Sequence, residues 1–399
     1  MKNENHNPIN TVSGGKGINR RIILGVVVVA ILVVGILWGW TFLPKENIAQ
    51  QQTNVDEQRV IKIGAILPLT GNYANIGQEN KAGIEVALEE VNKNGKLIDV
   101  VYEDSRGDSK TSLSAMRKLE MQGVNKVILS TTATAAPVLE KYKNDTFFFS
   151  VMSQKIGILS GTNNAIRIYL SSENETNLMA KYILNNHFKK IATLSANVET
   201  CLEPVKTTKQ KLLIENPSLV FYEQTFESSD RDFRTEFATI KKFNPDVLLI
   251  TAYPDQWEQI IRQLTEQQMN FPIIANSGFG LTAENDFYKD LNVMNMIVFP
   301  APYFVLNKEQ PFLKQIISDL KDKYNIDANF NVLYSYDNIS IMFKNIKHSD
   351  NNIEFMRSIC SKEYQGATGR IAFDYKHDIK QTELTMVKIV NGKYNDVKY

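Results

Sequence analysis

Apolar positions along the chain follow three different rules. Over residues 22–43 they run without one charged residue, IILGVVVVAILVVGILWGWTFL. Over 44–59, PKENIAQQQTNVDEQR, they show no period at all. From Val60 onward, short apolar runs alternate with stretches in which apolar side chains return every three or four positions. That is the pattern of strands alternating with one-sided helices.

The alternation predicts strands at 61–67, 99–102, 126–129 and 147–151. Helices are predicted between them at about 78–94, 110–122 and 133–143. In the second helix Leu113, Met116 and Leu119 step by three, and Gly123 marks the end. A second series starts near Glu173, with helices at 175–186, 203–214, 232–243 and 255–268. Its strands are predicted at 191–194, 219–222, 246–251 and 272–275. The helix at 232–243 carries Phe233, Phe237 and Ile240 on one face; the strand at 246–251 is almost wholly apolar, as expected when both faces are buried. After a strand at 296–300 come helices at 310–324 and 331–345, then strands at 369–374 and 384–390. Asn391-Gly392 is a hairpin-turn signal. Two βα series of similar size predict an α/β protein with two doubly wound parallel-sheet lobes.

The uninterrupted run at 22–43 is long enough to cross a bilayer as a helix, with Trp38 and Trp40 near its far end. Arg20 and Arg21 precede it, so the positive-inside rule places 1–21 in the cytoplasm and the C-terminal domain outside. This predicts a single-pass anchor in the cell membrane, followed by a polar tether at 44–59. The alternative is a cleaved signal peptide, but the run exceeds the usual apolar length and no small-x-small site follows Trp40. No cysteine follows either, which excludes a lipidated form. Cys201 and Cys360 lie far apart and are expected to be unpaired.

Lys and Arg number 45 against 44 Asp and Glu, a formal net charge of +1. That balance offers no basic footprint for nucleic acid. His6, His187, His348 and His377 are scattered, without metal-ligand spacing. There is no G-x-S-x-G elbow: Asn276-Ser277-Gly278-Phe279-Gly280 has Ala275 where glycine is needed. There is no phosphate-binding glycine loop, and the acidic stretch 103–108 lacks the distal glutamate of a calcium loop. No cofactor and no enzyme activity are expected.

Polar residues do gather where strands end. Asn75 lies in the glycine-bearing loop after the first strand, and Ser130, Thr131, Thr132, Ala133 and Thr134 follow the third. A hydroxyl-rich strand end opening onto a helix N-terminus suits a carboxylate or another anion; a single helix cap would account for one of these residues. Ser150, Ser153 and Gln154 close the fourth strand. In the second series, Tyr253 and Ser277 follow strand ends, with packing at the cleft mouth and a plain turn as their alternatives.

Several stretches resemble the type I periplasmic binding proteins, in particular the branched-chain amino-acid (leucine/isoleucine/valine) branch of ABC-transporter substrate-binding proteins. They include Gly64-Ala65-Ile66-Leu67-Pro68-Leu69-Thr70-Gly71, continuing through Ala74 and Gly77 to Gly83, and Glu103-Asp104. Ala180-Lys181-Tyr182-Ile183, Asp232-Phe233, Asn244-Pro245-Asp246, Tyr336-Asp337 and Gly366-Ala367-Thr368-Gly369-Arg370-Ile371-Ala372-Phe373-Asp374 follow in the family's order. The resemblance covers roughly Val60 to Tyr394.

It implies two lobes joined by three crossovers, near 169–172, 300–302 and 378–382. Lobe 1 would comprise 60–170 and 301–380, lobe 2 171–300 and 381–399. A small polar ligand, amino acid-like or an organic acid, would sit between lobes that close around it. Its carboxylate would meet Thr132, neighbouring N–H groups, and Ser153 or Gln154. The implied partner is an ABC permease, with the external domain monomeric; the alternative is a sensing domain without transport. Departures from the family pattern bear on the ligand. Ser277 stands where an acid takes the ligand's ammonium, and Thr200 and Ile76 fall where tyrosines are expected. The family's cysteine pair is replaced by Gly107 and Thr131. Because a buried ammonium without an acid partner is costly, an ordinary amino acid would need Asp255 or another carboxylate.

Overall fold

A computed structural model of the chain describes residues 60–398, apart from 144, 284–285, 289–290 and 381–383. The apolar run at 22–43, the tail before it and the tether after it lie outside the described residues. Among the described residues, no helix is long and apolar enough to cross a membrane.

The first series folds as β1 (Ile61–Leu67), α1 (Ala74–Val91), β2 (Ile98–Asp104), α2 (Ser109–Met121), β3 (Lys126–Ser130), α3 (Thr132–Tyr142), β4 (Phe148–Met152) and β5 (Ala165–Arg167). The strands form one parallel sheet in the order β2-β1-β3-β4-β5. Side chains alternate across it: Ile63, Ala65 and Leu67 enter one core, while Ile66, Val127 and Leu129 enter the other. With both faces covered, these strands read as continuous apolar runs. Pro68 ends β1. The loop after it is fastened by Asp104, which accepts from Leu69 N at 2.9 Å and Thr70 Oγ1 at 2.6 Å.

The second series comprises α4 (Ser172–Asn185), β6 (Lys190–Ala196), α5 (Glu199–Glu215), β7 (Val220–Phe226), α6 (Arg234–Phe243), β8 (Val247–Thr251), α7 (Trp257–Glu266), β9 (Ile273–Ala275) and β10 (Ile297–Pro302). Its sheet runs β14-β13-β10-β9-β8-β6-β7. The last two strands, β13 (Leu384–Val390) and β14 (Lys393–Asp396), are antiparallel, so this sheet is mixed rather than parallel throughout. Their two-residue turn is Asn391-Gly392, with φ of 52° and 71°, which joins strands with the native twist.

After β10 the chain returns to the first lobe as α8 (Pro311–Tyr324), α9 (Phe330–Lys344), α10 (Asn352–Cys360) and the hairpin β11 (Tyr364–Gly366)–β12 (Gly369–Ile371). α9 packs along α1. Gly83 makes this possible, since a Cβ there would lie 2.0 Å from the Val332 carbonyl oxygen. Asp337 of α9 is fully buried and accepts from Ala367 N at 2.6 Å and Thr368 Oγ1 at 2.6 Å, which fixes the hairpin. Three connections therefore pass between the sheets: after β5, after β10 and after β12. The second lies beyond Pro302, because β10 continues to that residue.

In each lobe the strand order reverses once, between β1 and β3 and between β6 and β8. Open α/β sheets hold ligands outside the strand C-termini at such reversals.

Candidate functional site

Loops from both reversals line one cleft of ≈ 400 Å³. The first lobe contributes Tyr73 and Ile76 after β1, Ser130–Ala133 after β3, and Ser153–Lys155 after β4. The second contributes Val198–Thr200, Glu203 and Pro204 after β6, and Tyr253 after β8.

Thr131 joins β3 to α3 with φ 67° and ψ 156°, a backbone region that glycine favours. Such a conformation costs about 1–3 kcal/mol in a residue with a side chain. Here it turns the chain abruptly, so that α3 starts at the cleft. Thr131 N donates to the Met152 carbonyl at 2.9 Å, and its own carbonyl accepts from Ala135 N at 3.0 Å. The N–H groups of Thr132, Ala133 and Thr134 form the first turn, before any helical acceptor exists for them. Thr132 and Ala133 of that turn line the cleft, at the positive end of the helix dipole. Beside them, Thr132 Oγ1 and Ser153 Oγ are 2.7 Å apart.

The segment Ser153–Lys155 is held from beneath by Arg167, which is fully buried. Its Nη1 donates to the carbonyls of Ser153 at 3.1 Å and Lys155 at 2.8 Å. Its Nη2 donates to Ser171 Oγ at 2.9 Å in the first crossover, and its Nε to Asp378 Oδ1 at 2.7 Å in the third. The same segment reaches across the cleft. Gln154 Nε2 donates to Ser277 Oγ at 3.1 Å, and Lys155 Nζ lies 2.6 Å from Glu199 Oε1.

Ser277 in turn secures Glu175, on the first turn of α4. Its N–H donates to Glu175 Oε1 at 2.6 Å and its hydroxyl to Oε2 at 3.2 Å. Burial pushes the Glu175 carboxyl up to about 7, against the lowering effect of these bonds. Tyr253 Oη and Thr200 Oγ1 are 2.9 Å apart; burial also raises the Tyr253 phenol, to about 12.

Of the residues expected at the ligand, Ser130, Thr131, Thr132, Ser153, Gln154 and Tyr253 line the cleft, and Asn75, Ser150 and Ser277 do not. Asn75 is exposed on the first turn of α1, while its neighbours Tyr73 and Ile76 face inward. Ser150 shares the sheet face of Phe148 and Met152 and donates to Asn338 inside the core. Ser277 is buried against Glu175 and meets the cleft only through Gln154. Ser130 lines the cleft, but its hydroxyl is engaged by Asn80 Oδ1 at 2.6 Å. Asp255 is exposed and pairs with Arg231 at 3.2 Å, away from the cleft. Lys155, Glu199 and Glu203 were not anticipated. Their signal is misleading: Pro204 suggests a first-turn proline and a helix start at 203, but α5 begins at Glu199 and holds Pro204 inside it.

Among the described residues, no cluster of three or more His, Cys, Asp or Glu could hold a metal ion. Cys201 and Cys360 are free thiols.

Two α/β lobes with reversed strand order, facing each other across a polar cleft, define a two-lobed small-molecule receptor. The family model described as periplasmic binding protein matches residues 60–393, and the chain belongs to that family. As such it is an extracytoplasmic solute-binding protein and not an enzyme. The Leu/Ile/Val-binding protein of Citrobacter freundii is 22% identical over 362 residues, spanning 88% of this chain and 97% of that one. The leucine-, isoleucine-, valine-, threonine- and alanine-binding protein of Pseudomonas aeruginosa is 20% identical, spanning 82% and 89%. Among solved structures, the isoleucine complex of LivJ from Streptococcus pneumoniae has a TM-score of 0.70 at 20% identity, covering 84% of this chain and 98% of that one. A Rhodopseudomonas palustris binding protein in complex with benzoate has a TM-score of 0.72 at 14% identity, covering 85% and 96%.

Proposed function

We propose that the chain captures a small carboxylate-bearing solute for an ABC importer, tethered to the outer face of the cell membrane by residues 22–43. The observation that carries this reading is the start of α3: free N–H groups and the Thr132–Ser153 hydroxyl pair meet at one point of a cleft wide enough for one small molecule. Isoleucine and benzoate, bound by the two structural neighbours, share a carboxylate beside an apolar group, and only isoleucine adds an ammonium. The ligand's carboxylate takes the α3 N–H groups and the two hydroxyls; Gln154 and Tyr253 close over it.

A thermal-shift screen of amino acids, amides and organic acids identifies the ligand, and calorimetry on the same protein gives its affinity. Thr132→Ala combined with Ser153→Ala should abolish the shift while leaving the unliganded midpoint within about 2 °C. An unchanged affinity in the double variant refutes the site. Co-purification with a permease, or ligand uptake lost on deletion of the gene, tests the transport role. Deleting residues 1–43 should release the protein from the membrane fraction.

A further inference from the structure

Behind the cleft, a buried acid is hydrogen-bonded through one serine to a side chain of the cleft wall. Glu175 is fully buried on the first turn of α4 and does not line the cleft. Its Oε1 accepts from Ser277 N at 2.6 Å, and its Oε2 accepts from the Ser277 hydroxyl at 3.2 Å. The same hydroxyl accepts from Gln154 Nε2 at 3.1 Å, and Gln154 lines the cleft. The backbone of Gln154 is fixed: its carbonyl accepts from Ser172 N at 3.0 Å, and Arg167 holds the carbonyls of Ser153 and Lys155 on either side. Only the side-chain amide is left to turn. Among the described residues, nothing donates to its Oε1.

A hydroxyl has one hydrogen, so this chain of bonds has a direction. With Glu175 ionised, Ser277 gives its hydrogen to Oε2 and takes one from Gln154 Nε2. Gln154 Oε1 is then the unbonded amide oxygen. With Glu175 neutral, the proton sits on Oε2, because Oε1 already accepts the Ser277 N–H. That proton points at the Ser277 oxygen, and the serine's own hydrogen needs another acceptor. Stranding it in a buried site is costly. A half-turn of the Gln154 amide removes the cost by bringing Oε1 to Ser277, which frees Nε2.

We propose that Glu175 is a positioning residue for the cleft: its protonation reverses the Ser277–Gln154 hydrogen bond, so that Gln154 offers a solute N–H groups when Glu175 is neutral and an oxygen when it is charged. The inference rests on the carboxylate site described above, and it makes capture of a carboxylate tighter in mild acid than in mild base. Burial sets Glu175 to titrate near neutrality, at about 7. α4 packs on α5, β10 and β13. Titratable groups on these elements include Cys201, Glu203 and Lys211 of α5 and Lys388 of β13, and none of them is bonded to Glu175. The Cys201 thiol feels the Glu175 charge but stays neutral, pushed up to about 12 chiefly by burial. Lys155, next to Gln154, is paired with Glu199.

The test uses full-length protein in mild detergent, with isotope-labelled glutamine, and Gln154→Ala to assign the Gln154 amide signals by nuclear magnetic resonance. In the ligand-free wild type these signals should move with pH, with a midpoint near 7. They should stay in place in Glu175→Gln and in Ser277→Ala. Calorimetry with benzoate and with L-isoleucine, whose charges do not change between pH 6 and 8.5, gives the second readout. Affinity for the tighter probe should fall about tenfold from pH 6 to 8.5, as a donor is replaced by an acceptor. Binding near neutral pH should take up protons, seen as a heat that depends on the buffer. The amide of Glu175→Gln donates to Ser277 as the neutral acid does, so this variant should bind at pH 8.5 as tightly as the wild type at pH 6. Amide signals that do not move, signals that move equally in Ser277→Ala, or an affinity that ignores pH overturn the inference. If Thr132→Ala with Ser153→Ala loses the probe while wild-type affinity is flat with pH, the carboxylate site stands and the role of Glu175 falls. If the double variant binds normally, or neither probe binds the wild type at millimolar concentration, the inference falls together with the reading beneath it.

Discussion

Glu175 offers a direct check on the buried polar chain behind the cleft. Its carboxyl is fully buried, and its ordinary value of 4.5 rises to about 7 because burial disfavours the charged form more than Ser277 stabilises it. In the folded chain the group therefore binds its proton more tightly than in the unfolded chain. Between pH 4.5 and about 7 the folded state carries more protons, so stability is greatest below that window and falls as pH rises through it. At about 1.4 kcal/mol per pH unit of displacement, the loss is about 3 kcal/mol once pH exceeds 7. Glu175→Gln removes the titration and keeps an oxygen to accept from Ser277 N. Urea unfolding of both proteins, followed by far-UV circular dichroism between pH 4.5 and 8.5, measures the difference. The variant should gain on the wild type by about 3 kcal/mol across this range, as a rise in midpoint at constant m. Two curves that run parallel with pH would refute the reasoning and place Glu175 in contact with water.

Arg167→Met should cost about 3–5 kcal/mol, because Asp378 loses its partner and the carbonyls of Ser153 and Lys155 lose their donors. A thermal midpoint equivalent to less than about 1 kcal/mol of loss would count against it. Gly83→Ala should destabilise by about 1–3 kcal/mol despite the better helix propensity of alanine, since its Cβ would press on the Val332 carbonyl of α9. A raised urea midpoint would show that α1 and α9 can separate freely.

The elements were legible where periodicity is long and the environment uniform. β1 and β8 are buried on both faces and read as apolar runs; Phe237 and Ile240 of α6, with Phe233 just before its start, are fully buried as their spacing implies. β5 and α10 went unseen. The first is three residues long, and the second has a single short apolar face of Phe355, Met356 and Ile359. Within the site, hydroxyls that start α3 were legible because a strand end and a helix start are both local signals. Ser150 could have been excluded by the two-residue period of its own strand, which sends it to the side of Phe148. Glu203 could not be found that way. Its place on the cleft wall depends on where α5 begins, and Pro204 sits inside that helix rather than at its start. The burial of Ser277 is likewise set by Glu175, 102 positions away.

Three consecutive residues explain how one small molecule could control the separation of two lobes. Ser153 faces Thr132 within the first lobe; Gln154 and Lys155 reach Ser277 and Glu199 of the second. Their backbone is fixed by Arg167, which also grips the first and third crossovers. A ligand held by Ser153 is therefore held by the segment that bridges the lobes, and that segment is anchored at the hinge. Surface ion pairs such as Lys155–Glu199 contribute at most about 1 kcal/mol each, because water screens them. That pair therefore adds little to lobe closure, and under the proposed function a solute touching both walls would shift the balance. The strained turn at Thr131 is held by its bonds to Met152 and Ala135, and it sets the start of α3 beside this segment.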